Sequence, residues 1–333
     1  MSHEHLKIYL KSVPFNTGLS KYPDLTPYRE DWTAGDALEC SFNPEKRRND
    51  MLGPNTAQRK MYIPMGYISD KYDDEPYIVP FLAEGSDKAV LVVPGGAYQD
   101  VSLDNEGYPT CEYLQKHGIS AFALKYRVYP YKYPCAALDC RRALCYLKYH
   151  AKEFGIDENK ISVIGFSAGG NLAATATYLF KDIPDIQGYE KDEIDCKDPN
   201  PATLGTIYPE LCADKFLMSV LFGERIFNDV DFCKETLERM YLPQYVKTGT
   251  PPVFMCCCAD DMVVSPDNVL NMAKACKDNG VRYELHIFSE GGHGFGATQE
   301  DIPPMFGIPG RRMAGTKEWV NLYITWLNKV ISD

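Results

Sequence analysis

Among the residues able to do chemistry, Ser167 has the setting of a nucleophile. It lies in Gly165-Phe166-Ser167-Ala168-Gly169-Gly170, between a short apolar run and a stretch with helical spacing. An exposed nucleophile at the top of a strand needs a turn so sharp that flanking side chains would clash, and Gly165 and Gly169 remove that clash. A serine hydroxyl is a poor nucleophile at neutral pH unless a base takes its proton.

The chain has six histidines from which to choose that base. His3 and His5 fall in an irregular leading segment, His117 at a helix end, His150 within a helix and His286 within an apolar strand. His293 differs: Gly291-Gly292-His293-Gly294-Phe295-Gly296 puts it on a glycine-rich loop directly after the last expected strand, and catalytic groups favour such loops. The base needs a carboxylate to hold its tautomer and stabilise its charged form. Asp260 and Asp261 follow the run Val253 to Cys258, and the chain order Ser, Asp, His suits this arrangement. Spacing does not separate the two acids. Asp260, nearer the strand end, is the preferred partner; Asp261 is the fallback acid, read first as a cap for the following helix. A tetrahedral intermediate also needs backbone donors. Ala168 supplies one N–H, and Gly96 and Ala97, in Val93-Pro94-Gly95-Gly96-Ala97-Tyr98, are the candidates for another.

These residues must be held by elements, and the elements alternate. Strands are expected at Lys88–Val93, Ile119–Tyr126, Lys160–Gly165, Thr203–Tyr208, Val253–Cys258 and Tyr283–Phe288. Helices are expected at Gly107–Lys116, Cys135–Phe154, Gly169–Phe180, Pro266–Asp278 and Thr316–Ile331. Continuously apolar strands separated by helices indicate an α/β fold, a mostly parallel central sheet with helices on both faces. Ligands then bind beyond the carboxyl ends of the strands, where all the candidates above lie. Residues 1–75, interrupted by Pro14, Pro23, Pro27, Pro44 and Pro54, read as an N-terminal extension wrapping a core at 76–333. The acidic stretch Lys181 to Asn200 reads as a solvated loop, and the insertion at about 210–248 as a small partial cap.

Composition narrows the partners. The formal net charge of −11 disfavours nucleic acid, which needs clustered Lys and Arg, and no apolar run is long enough to span a membrane. Of the twelve cysteines, Cys256, Cys257 and Cys258 are consecutive, and Cys135, Cys140 and Cys145 lack C-x-x-C spacing. Neither pattern suits zinc, so no metal or cofactor is expected. Reduced, buried thiols in a cytoplasmic protein are the expectation.

Five stretches together carry a resemblance: PGGAY at Pro94–Tyr98, LKYRVYP at Leu124–Pro130, DENKISVIGFSAGGNLAA at Asp157–Ala174, ADDMVVSPDN at Ala259–Asn268 and GGHGFG at Gly291–Gly296. From about Lys88 to Asn328 the chain resembles the esterase and lipase branch of the α/β-hydrolases, particularly its acetyl-xylan-esterase-like and feruloyl-esterase-like members. The resemblance implies the α/β-hydrolase fold, Ser167, Asp260 and His293 as triad, and Gly96, Ala97 and Ala168 as oxyanion positions. It also implies a small-molecule or oligosaccharide ester substrate, such as an acetylated saccharide. Ala97 replaces a common Gly, Pro94 stands where the HGGG branch has His, and Cys256 to Cys258 are unusual at a strand end. A peptidase or arylformamidase would use the same machinery, and a binding protein could keep the scaffold.

Overall fold

Ala89-Val90-Leu91-Val92-Val93 and Val253-Phe254-Met255-Cys256-Cys257-Cys258 are apolar at every position, a pattern that suits strands covered on both faces. The computed structural model describes residues 4–14, 75–129, 131–183, 186, 189–297 and 315–332. Among them eight strands form one sheet: β1 (Leu6–Lys7), β2 (Tyr77–Phe81), β3 (Ala89–Val93), β4 (Ser120–Lys125), β5 (Ile161–Phe166), β6 (Leu204–Ile207), β7 (Val253–Cys258) and β8 (Tyr283–Phe288). Their order is β1-β2-β4-β3-β5-β6-β7-β8. Every pairing from β4 to β8 is parallel, and β2 alone runs antiparallel to its neighbours. Every residue of β3, β5 and β7 is buried.

Helices α1 (Tyr108–Lys116), α2 (Cys135–Tyr149) and α3 (Ala168–Leu179) follow β3, β4 and β5. Helix α2 packs on α3, and α3 packs on β5 and β6. Between β6 and β7 lie α4 (Lys215–Phe222) and α5 (Val230–Arg239), capped by Asp214, which accepts from Phe216 and Leu217 N–H, and by Asp229, which accepts from Phe232 N–H. Helix α4 leans over the loop after β4, where Tyr133 N–H donates to the Leu221 carbonyl. Helix α6 (Asp267–Asp278) joins β7 to β8, and α7 (Trp319–Ser332) closes the described chain. Tyr113 of α1 donates to Asn321 of α7. The result is the α/β arrangement expected, a mostly parallel sheet clothed by helices.

The stretch read as a solvated loop is different. Asp192 and Asp195 sit on the guanidinium of Arg142, at 2.6 and 3.0 Å, and that side chain is buried in α2. Unpaired, the guanidinium would be costly to desolvate, so the acidic segment is drawn inward to neutralise it. Arg142 Nε also donates to the Ile8 carbonyl. Arg127, buried and forked onto Asp139, donates to the Pro14 carbonyl. Residues 4–14 are thereby tied to α2 and the loop after β4. The rest of the expected extension, from 15 to 74, lies outside the described residues.

Candidate active site

The turn from β5 into α3 holds Ser167 at φ +50°, ψ −120°, a strained conformation for a residue with a side chain. The surroundings fix it. Ser167 N–H donates to the Ile207 carbonyl at 2.9 Å, and the Ser167 carbonyl accepts from Gly170 and Asn171 N–H. A Cβ on Gly165 would lie 2.1 Å from the Gly169 carbonyl oxygen, and one on Gly169 would lie 2.2 Å from that of Val93. The two glycines are therefore dictated by backbone on backbone, β5 against α3 and α3 against β3.

His293 Nε2 lies 2.9 Å from Ser167 Oγ, and its Nδ1 lies 2.8 Å from Asp261 Oδ2. A carboxylate only accepts, so Nδ1 carries the proton and Nε2 is left to accept from the serine hydroxyl. The preferred acid of the sequence reading, Asp260, is not the residue at the imidazole. Asp261 N–H donates to the Cys258 carbonyl, closing a tight turn after β7 that folds the Asp261 side chain inward, where it is buried. Asp260 points out and is exposed; its oxygens accept from Gly291 and Gly292 N–H at 3.2 and 2.8 Å, bracing the loop that carries His293. Nor does Asp261 cap the next helix, which starts only at Asp267. It accepts from Val263 and Val264 N–H. Burial alone would raise the Asp261 carboxyl, but the charge and hydrogen bond of His293, with the Val264 and Val263 amides, hold it below its ordinary value.

The loop after β3 folds into a tight turn, with Gln99 and Asp100 N–H both donating to the Gly96 carbonyl. Gly96 has φ +126°, and a Cβ there would meet the Asp100 carbonyl oxygen at 2.1 Å. Ala97 and Tyr98 follow at φ +53° and +57°, so the common Gly is replaced here by a strained alanine. Among the described residues no acceptor engages the N–H of Gly96, Ala97 or Ala168. Ala168 opens α3, where the first N–H groups have no partner within the helix. The loop is anchored by Tyr126, whose hydroxyl donates to the Pro94 carbonyl, and by Tyr98, whose hydroxyl donates to Asn171.

The remaining described histidines have partners away from Ser167: His5 stacks on Tyr77, His117 meets the Tyr113 carbonyl, His150 meets Glu153 and His286 meets Glu284. Three residues beside the site were not foreseen. Glu106, buried in a π-helical turn at Leu103–Gly107, accepts from Gly95 N–H and from the Tyr208 hydroxyl. Tyr208 directly follows β6, and its ring centroid lies 4.8 Å from that of His293. Asn105 donates to the Gly294 carbonyl. Tyr208 could have been flagged by its place at a strand's carboxyl end, whereas nothing in local spacing marks Glu106. Among the described residues no cluster of three His, Cys, Asp or Glu is arranged for a metal, and no helix is long and apolar enough to cross a membrane.

Such a constellation can withdraw a proton from Ser167 as it attacks an electrophile, and offers N–H groups for the anion that forms. Comparison with known proteins bears on the electrophile. The BD-FAE family model matches residues 78–275, and the dienelactone hydrolase family model matches residues 243–331. An acetylxylan esterase of Xylanibacter ruminicola is 27% identical over 231 residues, covering 67% of this chain and 44% of the relative. An endo-1,4-beta-xylanase B of Butyrivibrio fibrisolvens is 27% identical over 223 residues, 64% of this chain and 33% of the relative. This chain thus spans less than half the length of both curated relatives. Among solved structures, an acetyl ester-xyloside bifunctional hydrolase from Caldicellulosiruptor lactoaceticus superposes with a TM-score of 0.64 at 29% identity, covering 84% of this chain and 94% of that one. A propionate-bound esterase from Thermogutta terrifontis, at 23% identity and a TM-score of 0.59 over 80% of this chain and 95% of that one, shares the fold.

Proposed function

The chain belongs to the BD-FAE family, and from that premise we propose that it is a carboxylic ester hydrolase, a serine esterase that removes acetyl groups from a saccharide. The observation that carries this reading is the continuous hydrogen-bonded line from Asp261 through His293 to Ser167. The sugar half rests on the relatives, two of which are named for xylan or xylan esters.

Ser167 Oγ attacks the ester carbonyl carbon as its proton passes to His293 Nε2. The carbonyl oxygen becomes an oxyanion, met by the N–H groups of Ala168 and of Gly96 or Ala97. Asp261 holds the imidazole in the productive tautomer and stabilises its charged form without taking the proton. The intermediate collapses, the sugar hydroxyl leaves with the proton returned by Nε2, and an acetyl-serine remains. Water, deprotonated by the same nitrogen, then releases acetate and restores the hydroxyl.

Turnover of p-nitrophenyl acetate and acetate release from acetylated xylo-oligosaccharides test this. Wild type turns over both, and Ser167→Ala lowers kcat by at least about 1,000-fold with the fold intact. Equal turnover by the two proteins would overturn the reading. Turnover of the nitrophenyl ester with none of the oligosaccharide would remove only the sugar.

A further inference from the structure

A buried carboxylate that the proposed chemistry does not use lies behind both loops that the chemistry needs. Glu106 is 1% exposed. Its Oε2 accepts from Gly95 N–H at 2.5 Å, and its Oε1 accepts from the Tyr208 hydroxyl at 2.8 Å. The Tyr208 oxygen in turn accepts from Gly296 N–H at 3.0 Å. Gly95 begins the loop carrying Gly96 and Ala97, and Gly296 ends the loop carrying His293. One side chain from the residue directly after β6 and one from the π-helical turn therefore connect the two loops through four consecutive hydrogen-bonding groups.

Gly95 gives a proton to one oxygen of Glu106 and, with its hydroxyl as donor, Tyr208 gives a proton to the other, an arrangement that satisfies an ionised carboxylate at both oxygens. Burial pushes this carboxyl above its ordinary range, against the opposing effects of the Gly95 amide, the Tyr208 hydroxyl and His293. The space around it is also closed. A Cβ on Gly95 would lie 2.9 Å from Glu106 Oε2 and 2.9 Å from Ser167 Cβ, so the carboxylate, the loop and the nucleophile turn are in mutual contact. Asn105, one residue earlier in the same turn, donates to the carbonyl of Gly294, the residue directly after His293. π-Turns of this kind are concentrated at functional sites.

We infer that Glu106 and Tyr208 are positioning residues that set the oxyanion loop and the histidine loop in register with each other. The inference rests on the ester-hydrolase reading for its kinetic consequence but not for its structural one. Fixing the Pro94–Gly95 peptide plane through Gly95 N–H orients the next two amides, and fixing Gly296 orients the chain just after His293. A loop displaced by an ångström at such a site costs on the order of 100-fold in rate.

The test compares wild type with Glu106→Gln, Tyr208→Phe and the double variant, by p-nitrophenyl acetate kinetics and by hydrogen exchange in peptides covering 94–103 and 290–297. A glutamine presents an NH2 group to one of the two donors, so one contact becomes donor against donor. The phenylalanine removes a single oxygen and leaves the carboxylate in place, which keeps the test valid if the glutamine variant fails to fold. Each single variant lowers kcat about 10- to 100-fold with KM within about threefold. Exchange rises in both peptides together, and the double variant loses no more than the worse single one, because the groups act as a unit. Exchange rising in only one loop, or folded variants with unaltered kcat, would overturn the inference. A wild type inert toward every ester and unlabelled by a fluorophosphonate would instead overturn the ester-hydrolase reading, and the exchange data would still decide whether the loops are coupled.

Discussion

Ser167, His293 and Asp261 are ordinary side chains made unusual by three turns, and the turn after β7 is the one that sequence could not resolve. Two adjacent aspartates at a strand end offer the same chemistry, and distance from the strand favours Asp260. The turn closed between Asp261 N–H and the Cys258 carbonyl reverses that preference by tucking the second acid inward. Ser167 and His293 were legible because glycines on both sides announce conformations that few other residues adopt. The assignment of the acid has a direct kinetic consequence. Asp261→Asn leaves the imidazole in place but permits the wrong tautomer, and lowers kcat by about three to four orders of magnitude. Asp260→Asn only loosens two amide contacts to Gly291 and Gly292, and lowers kcat by about tenfold or less. Steady-state kinetics on the two purified variants check this, and a larger loss from Asp260→Asn would return the role to the residue nearer the strand.

Strands β3, β5 and β7 were readable to within a residue or two because burial on both faces leaves continuous apolar runs. Strands β1 and β2, the π-helical turn at Leu103–Gly107 and the inward acidic segment were not, since each depends on a partner far away in sequence. The connection after β6 belongs with them. Glu210 follows Pro209 there, with its own N–H directed at the Ser167 carbonyl and its side chain accepting from Cys212 N–H. Burial and the neighbouring Asp214 push its carboxyl up to about 7, against the Cys212 and Asp214 amides and the Asn268 side chain. The sign follows from linkage: a carboxyl raised in the folded state binds its proton more tightly there than in the unfolded chain. Its contribution is therefore fully present below the ordinary value of about 4.5 and is lost as pH rises through about 7. Glu210→Gln stays neutral throughout. In urea unfolding it matches wild type at about pH 4 and exceeds it at about pH 8, by on the order of 1–3 kcal/mol, a range reduced for the partial exposure of the side chain. The same difference at both pH values would show that the carboxyl is not displaced by its surroundings.

At the scale of the molecule, the buried arginines among the described residues are each matched by buried or half-buried acids. Arg127, Arg141 and Arg142 are buried against Asp139, Asp192 and Asp195, pairs that salt screens little. The excess of 46 acidic over 35 basic residues, a formal charge of −11, is carried by the rest of the chain. Close to the reacting groups, Asp260, Asp261, Glu106 and Glu210 add carboxyl groups from three different segments. Sequence composition alone gave the sign of this field; which acids line the site required the fold. A negative field of this kind leaves a neutral acetylated sugar untouched during diffusion and repels an ester that also bears a carboxylate. The Debye length contracts from about 30 Å at 0.01 M salt to about 8 Å at 0.15 M, so the repulsion is removable. For a neutral acetylated xylo-oligosaccharide, kcat/KM is flat across that range. For its analogue carrying a uronate, kcat/KM starts lower and rises several-fold with added sodium chloride, through the association rate rather than kcat. A uronate ester whose kcat/KM falls with salt would mean that a cationic group governs the approach to Ser167, and would turn the search for substrates toward acidic saccharides.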